Sequence, residues 1–187
     1  ILTAQTEALT ITGDAGVDTI TGGEGVDTIN GSGGADTITG GKGDDIITGG
    51  AGLDKLTGGT GDDVFNIDGA YDTIKDLGGA SGGDIDVIVV SNVALLNAIN
   101  IVNFIATNGS SNAGTATFNS KSGVDSTINL LSVTGSGIFF INGGDGSDTL
   151  VASAQGATIT SGTGVDKITG GEGVDTINAG KGDDIIT

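Results

Sequence analysis

The chain has 187 residues and a formal charge of −18, from 24 acidic side chains against 6 basic ones. That balance excludes a phosphate-binding basic patch and docking on anionic lipid, and it favours a multivalent cation as partner. With no Cys and no His, disulfides, thiol chemistry and the usual zinc or copper ligands are also excluded.

Composition alone, with 38 Gly and no Pro, would suit an acidic disordered segment. The order of the residues argues otherwise. From the N-terminus, Ile11, Ile20, Ile29, Ile38, Ile47, Leu56, Phe65 and Ile74 recur at a fixed spacing of nine. An aspartate stands two residues before seven of them: Asp18, Asp27, Asp36, Asp45, Asp54, Asp63 and Asp72. The template is G-G-x-G-x-D-x-U-x, with U a large apolar residue, and it is clearest in GGKGDDIIT, GGAGLDKLT and GGTGDDVFN over residues 40–66. Units 22–30, 40–48, 49–57 and 58–66 match fully. Units 13–21 and 31–39 carry Asp14 and Ser32 at the second glycine, and 4–12 reads as a degenerate entry rung.

A fixed internal period specifies a stack of equivalent units. Each unit has a glycine-rich half that turns and a three-residue half that extends, its middle side chain inward and its Thr or Asn neighbours outward. Two units make a coil of 18 residues, so residues 18 apart lie one above another. One edge then stacks Asp18, Asp36, Asp54 and Asp72; the other stacks Asp27, Asp45 and Asp63. One apolar residue in nine is too thin a seam to order such a chain, and stacked carboxylates repel. The repeat therefore calls for a cation between successive aspartates. Calcium fits, because twice its oxygen distance of ~2.3–2.6 Å matches a coil spacing of ~4.8 Å, whereas magnesium is too short and holds its waters. Main-chain carbonyls of the turns can supply the remaining ligands.

After Phe65 the pattern fades. IDGAYDTIK keeps Asp72 and Ile74 but loses the glycines. Asp68, Asp76, Asp84 and Asp86 read either as ligands of irregular sites or as solvated turn charges. Ile85–Val90 alternates as a largely buried strand. Residues 91–107 admit two readings: a helical face of Asn97, Asn100 and Asn103 capped by Ser91, or a strand after an Asn turn. A short helical turn near 93–96 followed by strand is expected. Residues 115–119, 127–133 and 138–142 read as strands, continuing the stack without metal, with Phe104, Phe118, Phe139 and Phe140 filling a wider core. The period resumes at Gly143, with Leu150, Ile159, Ile168, Ile177 and Ile186 nine apart. Asp148, Asp166, Asp175 and Asp184 hold the template position, but Ala157 replaces one aspartate, so a weak or empty site is expected beside Asp175.

The nonapeptides quoted above resemble the RTX (repeats-in-toxin) family. The resemblance implies an all-β fold, a right-handed parallel β-roll or β-solenoid, here as two RTX arrays (4–78 with its exit, and 143–187) joined by a β-rich non-RTX spacer (79–142). It implies several calcium ions per chain, each held by aspartates of two successive coils and by carbonyls of the first four turn positions. In this sequence those carbonyls belong to Gly22, Gly23, Gly25, Gly31, Gly40, Gly41, Gly43, Gly49, Gly50, Gly52, Gly58, Gly59 and Gly61, and to Gly143, Gly144, Gly146, Gly162, Gly164, Gly170, Gly171 and Gly173. It further implies type I secretion and folding by calcium outside the cell. A start at Ile1 and an end on a complete unit at Thr187 read as a piece of a longer chain.

Two functions follow. One is a structural calcium-binding region of a secreted surface-layer protein or adhesin, self-associating into an oligomer or lattice. The other is the secretion and folding region of an exported enzyme or toxin. A metalloprotease H-E-x-x-H motif is impossible without His, and carboxylate doublets such as Asp44/Asp45 recur with the repeat, so they read as ligand or turn residues rather than catalysts. No apolar run approaches the ~18 residues of a transmembrane helix.

Overall fold

Alternation along each short strand turns one side chain in and two out. In Thr28–Asn30 and Thr158–Thr160 the middle Ile is buried and both neighbours are exposed. The computed structural model describes residues 6–68, 71–75, 77, 85–91, 94–107 and 109–187. Among these the chain forms 21 strands and no helix, and no helix is long and apolar enough to cross a membrane. The strands pair in parallel with residues of one coil directly over those of the next: Ile20 over Ile38, Ile38 over Leu56, Leu150 over Ile168. This is the parallel β-solenoid expected of the repeat.

Three sheets wall the stack. A common sheet of 9 strands runs from Thr19–Gly23 to Thr176–Asn178, a first flank sheet of 7 strands from Thr10–Thr12 to Thr134–Gly135, and a second flank sheet of 5 strands from Asn103–Ile105 to Ile185–Ile186. The first roll is closed by the common sheet and the first flank, the second roll by the common sheet and the second flank. In the middle all three are present. The chain passes from Leu95–Ile101 to Asn103–Ile105, then Ser111–Asn112, and back to Thr115–Ser120. Coils there are longer: Asn142 lies over Asn119, 23 positions on, and Thr117 over Asn97, 20 on, against 18 for Asp45 over Asp27.

The wider three-sided middle needs larger fillers. Phe104 and Phe118 stack at 5.8 Å with planes 9° apart, and Phe139, Ile128 and Leu130 are among the residues buried with them. Phe140 does not join them; it is 38% exposed because it alternates with Phe139 on one strand. Residues 95–101 are strand, not helix. Asn97 faces outward and accepts a hydrogen bond from Asn119 Nδ2 at 2.9 Å; Asn119 Oδ1 accepts one from Asn142 Nδ2 at 2.8 Å. This ladder across successive coils overrides the local helical spacing of the asparagines. Asn100 instead takes φ 61° and turns the chain toward the second flank. The strand expected over 127–133 stops at Asn129, whose Oδ1 accepts the Leu131 N–H at 3.0 Å and turns the chain so that Leu131 is exposed. Residues 76, 84 and 93, named in the readings above, lie outside the described residues.

Candidate metal centre

The turns before the strands carry the aspartates, and the register sets them in columns. On the common-sheet edge of the first roll stand Asp18, Asp36, Asp54 and Asp72; on the opposite edge stand Asp27, Asp45 and Asp63. In both columns Oδ1 of one aspartate accepts the main-chain N–H of its counterpart one coil earlier, as from Asp18 to Asp36, Asp27 to Asp45 and Asp36 to Asp54, each at 2.8 Å. Asp148, Asp166 and Asp184 form a column on the second-flank edge, with Ser126 N–H to Asp148 and Asp148 N–H to Asp166 each at 2.8 Å. Asp175 accepts the Ala157 N–H at 2.7 Å but has no carboxylate above it in that coil. Following the common-sheet column past Asp72 explains why: the position passes to Leu96, then Ala116, then Phe139, and all are buried apolar residues.

One oxygen of each carboxylate is thus used by the backbone. The second is what distinguishes the site. Oδ2 of Asp27, Asp36, Asp45, Asp54, Asp72, Asp148 and Asp166 is buried and meets no donor among the described residues. An anionic oxygen in that state is costly unless a cation answers it. The glycine opening each turn supplies the space. A Cβ added to Gly22, Gly31, Gly40 or Gly143 would collide with the turn's own aspartate Oδ2 and with a main-chain oxygen of the next coil: that of Gly40, Gly49, Gly58 or Ser161 respectively. A carboxylate oxygen and a carbonyl oxygen therefore converge on a hollow that only glycine leaves open. Gly41 and Gly43, at φ 127° and 112°, need the left-handed region that side chains resist. Among the described residues no three acidic side chains gather as a metal cluster; the groups that converge on each hollow are hard oxygens, part carboxylate and part main chain. That set suits calcium.

A family model described as the RTX calcium-binding nonapeptide repeat (4 copies) matches residues 10–38, 30–65, 39–74, 140–159 and 156–186. The chain belongs to this RTX family. It binds calcium, and its repeats imply several ions. No curated protein and no solved structure matches it.

Without its metal, the RTX column presses on its own ionisation. Burial pushes the carboxyl of Asp45 up to about 6, and the nearby charges of Asp27 and Asp44 add to it against the Asp27 N–H, which lowers it. Asp72 rises to about 7, with burial first and Asp54 and Asp68 adding. Asp148 rises to about 6, with burial first and Asp166 and Asp125 adding. A carboxyl raised in the folded state binds protons there that the unfolded chain, titrating near 4, has already lost. Stability of the metal-free fold therefore falls as pH rises through the window from about 4 to 7. In chelator, circular dichroism is expected to show β-structure gained on acidification from pH 8 to pH 5, while the affinity of the folded carboxylates for calcium falls over the same interval because protons compete for them. Order that is independent of pH in chelator would contradict this account.

Sequence reasoning left two features open. Asp86 stands after an irregular exit, 23 residues beyond Asp63, yet its Oδ1 accepts the Asp63 N–H at 3.0 Å. It extends the second column despite breaking the count. The doublets are also resolved. Asp44 is the exposed partner of buried Asp45, and its Oδ1 accepts the Asp62 N–H at 2.9 Å; Asp62 does the same for Ile85 at 2.8 Å. These outer aspartates clasp one turn to the next through the main chain. Their only signal in the sequence was the repeated Asp-Asp pair.

Proposed function

We propose that the chain is the structural calcium-binding region of a bacterial surface protein exported by type I secretion, in which calcium folds the solenoid and promotes packing of copies into a surface layer. The observation that carries this reading is the column of buried, donorless aspartate oxygens repeated along both rolls. In this reading residues 4–78 and 143–187 are the calcium arrays and 79–142 the metal-free spacer. The ligands are Asp18, Asp27, Asp36, Asp45, Asp54, Asp63, Asp72, Asp148, Asp166, Asp175 and Asp184, with main-chain oxygens of the glycine turns completing each sphere. The β-roll is a structural fold, and its carboxylate pairs are engaged by backbone N–H groups, which supports a role without chemistry.

Titration of the chelated chain with calcium, followed by calorimetry and circular dichroism, tests the proposal. Cooperative folding near the ~10⁻⁴–10⁻³ M of extracellular modules is expected; a chain that folds without responding to calcium would overturn it. The interrupted edge offers a gain-of-function check. Ala157 lies over Asp175, and its N–H already contacts that carboxylate. Ala157→Asp is expected to add one calcium ion to the stoichiometry, and an unchanged ion count would show that the Asp175 turn is not a metal site.

A further inference from the structure

The residue just before each column aspartate points out of the stack, and along one edge these residues form an uncharged ridge. On the common-sheet edge the large members are Val17, Leu53, Tyr71, Leu95, Ile138 and Val174. All except Leu95 are more than half exposed, Val174 by 95%. Leu95 lies over Thr115 and Thr115 over Ile138, and the main chain of Val174 abuts Gly156. Ala35, Thr115 and Gly156 are thus the small steps between the large ones. The other two edges differ at the same position. The first-flank edge carries Asp44 and Asp62 there, and the second-flank edge carries Asp125 and Asp183. Open hollows lie along the ridge, one of about 250 Å³ between Leu95 and Ile138 and one of about 190 Å³ lined by Ile138, Gly156, Ala157 and Val174.

We propose that this ridge is the surface on which two copies of the chain pair side by side, in antiparallel orientation. The choice of a second copy rests on three observations. At a net charge of −18, two copies repel, and this is the one edge on which the position before the column residue carries no carboxylate, the charges of Asp14, Asp68 and Glu172 on the same turns standing beside the ridge and not on it. The ridge has the period of the coil, ~4.8 Å, and another solenoid of the same rise stays in step with it over its whole length. Nine coils at that rise give a strip ~38 Å long, enough with a modest width to approach the ~800 Å² per partner of a standard interface. A two-fold axis between the Leu95 and Thr115 coils makes the surface self-complementary. It sets Ala35 against Val174, Leu53 against the step at Gly156, and Leu95 against Thr115, a small residue facing a large one each time. Tyr71 then meets Ile138. The inference rests on the proposed surface-layer role and gives it a specific contact.

The test uses the calcium-loaded chain. Sedimentation across a micromolar-to-millimolar dilution series measures association, and emission of Tyr71, the only tyrosine and without tryptophan to mask it, reports burial at the ridge. Wild type is expected to dimerise with a change in Tyr71 emission. Leu53→Glu with Ile138→Glu is expected to stay monomeric while binding calcium as wild type does. Val26→Glu, at a residue 56% exposed on another edge, is expected to dimerise normally. Because the chain has no cysteine, Ala35→Cys with Val174→Cys is expected to form an intermolecular disulfide on oxidation, which Val26→Cys with Val174→Cys is not. A wild-type chain that stays monomeric, or ridge and control variants that behave alike, overturns the inference. Failure to fold with calcium instead counts against the proposed function, and the two results are read from separate signals.

Discussion

Chelating calcium is expected to unfold both rolls while the three-sided middle keeps protected amides. In each roll the core is a narrow seam of mostly Ile and Leu, with Phe65 in the first, flanked by columns of buried aspartates. Carboxylates stacked at the ~4.8 Å coil rise repel by roughly 3 kcal/mol per neighbouring pair at an effective dielectric near 20. The second oxygens of Asp27, Asp36, Asp45, Asp54, Asp72, Asp148 and Asp166 have no donor among the described residues to offset this. The middle differs in each respect. Its common-sheet column holds Leu96, Ala116 and Phe139 in place of aspartate, and its interior is built on the stacked Phe104–Phe118 pair. Hydrogen exchange with mass-spectrometric readout, run with and without EGTA, checks this segment by segment. Strands within residues 10–74 and 149–187 should exchange rapidly once calcium is removed, and strands within 95–142 should retain protection, at a reduced level because so small a core is marginal alone. Uniform loss along the chain would show that the middle depends on its neighbours. No loss anywhere would remove calcium from the account of folding.

The parts of this fold that could be read beforehand are those the period dictates. A spacing of nine places Ile20, Ile38 and Leu56 in one inward column and Asp27 and Asp45 in one turn column, with no tertiary information needed. The middle is different because its coils have no common length. Nothing in the order of residues 85–142 says that Asn103–Ile105 leaves the common sheet to found a third wall, since that choice depends on what lies in the coils above and below. Alternation alone could not tell which of Phe139 and Phe140 faces inward until the strand's register was known. Asn142 lies directly over Asn119 and Asn119 reaches Asn97 diagonally, past Thr117, an arrangement set by coils of unequal length. Asp86 stayed open between ligand and solvated turn charge for the same reason: it stands 23 residues beyond Asp63, off the count of 18, yet meets it in register.

The two uses of each aspartate can be separated at Asp45, in the interior of its column. Its Oδ1 accepts the Asp27 N–H at 2.8 Å, its own N–H reaches Asp63 Oδ1 at 2.9 Å, and its Oδ2 is buried without a donor among the described residues. Asp45→Ala removes both the clasp and the charge. Losing a charged acceptor that leaves a buried N–H unpaired costs roughly 1.5–3 kcal/mol, and in the proposed ligand set the two positions shared with Asp27 and Asp63 each lose a ligand. The expected result is up to two fewer ions by calorimetry and a folding midpoint shifted to about tenfold higher calcium or beyond, since ~1.4 kcal/mol is a factor of ten. Asp45→Asn keeps a carbonyl that can accept the Asp27 N–H and removes only the charge. If Asp45 serves the metal, Asn behaves nearly as Ala does in calcium. If it serves only the backbone, Asn behaves nearly as wild type. Asp44→Ala provides the contrast: it loosens an exposed clasp to Asp62 and should leave the ion count unchanged. Equal effects at Asp44 and Asp45 would mean that burial of the second oxygen, the feature on which the metal assignment rests, has no bearing on calcium.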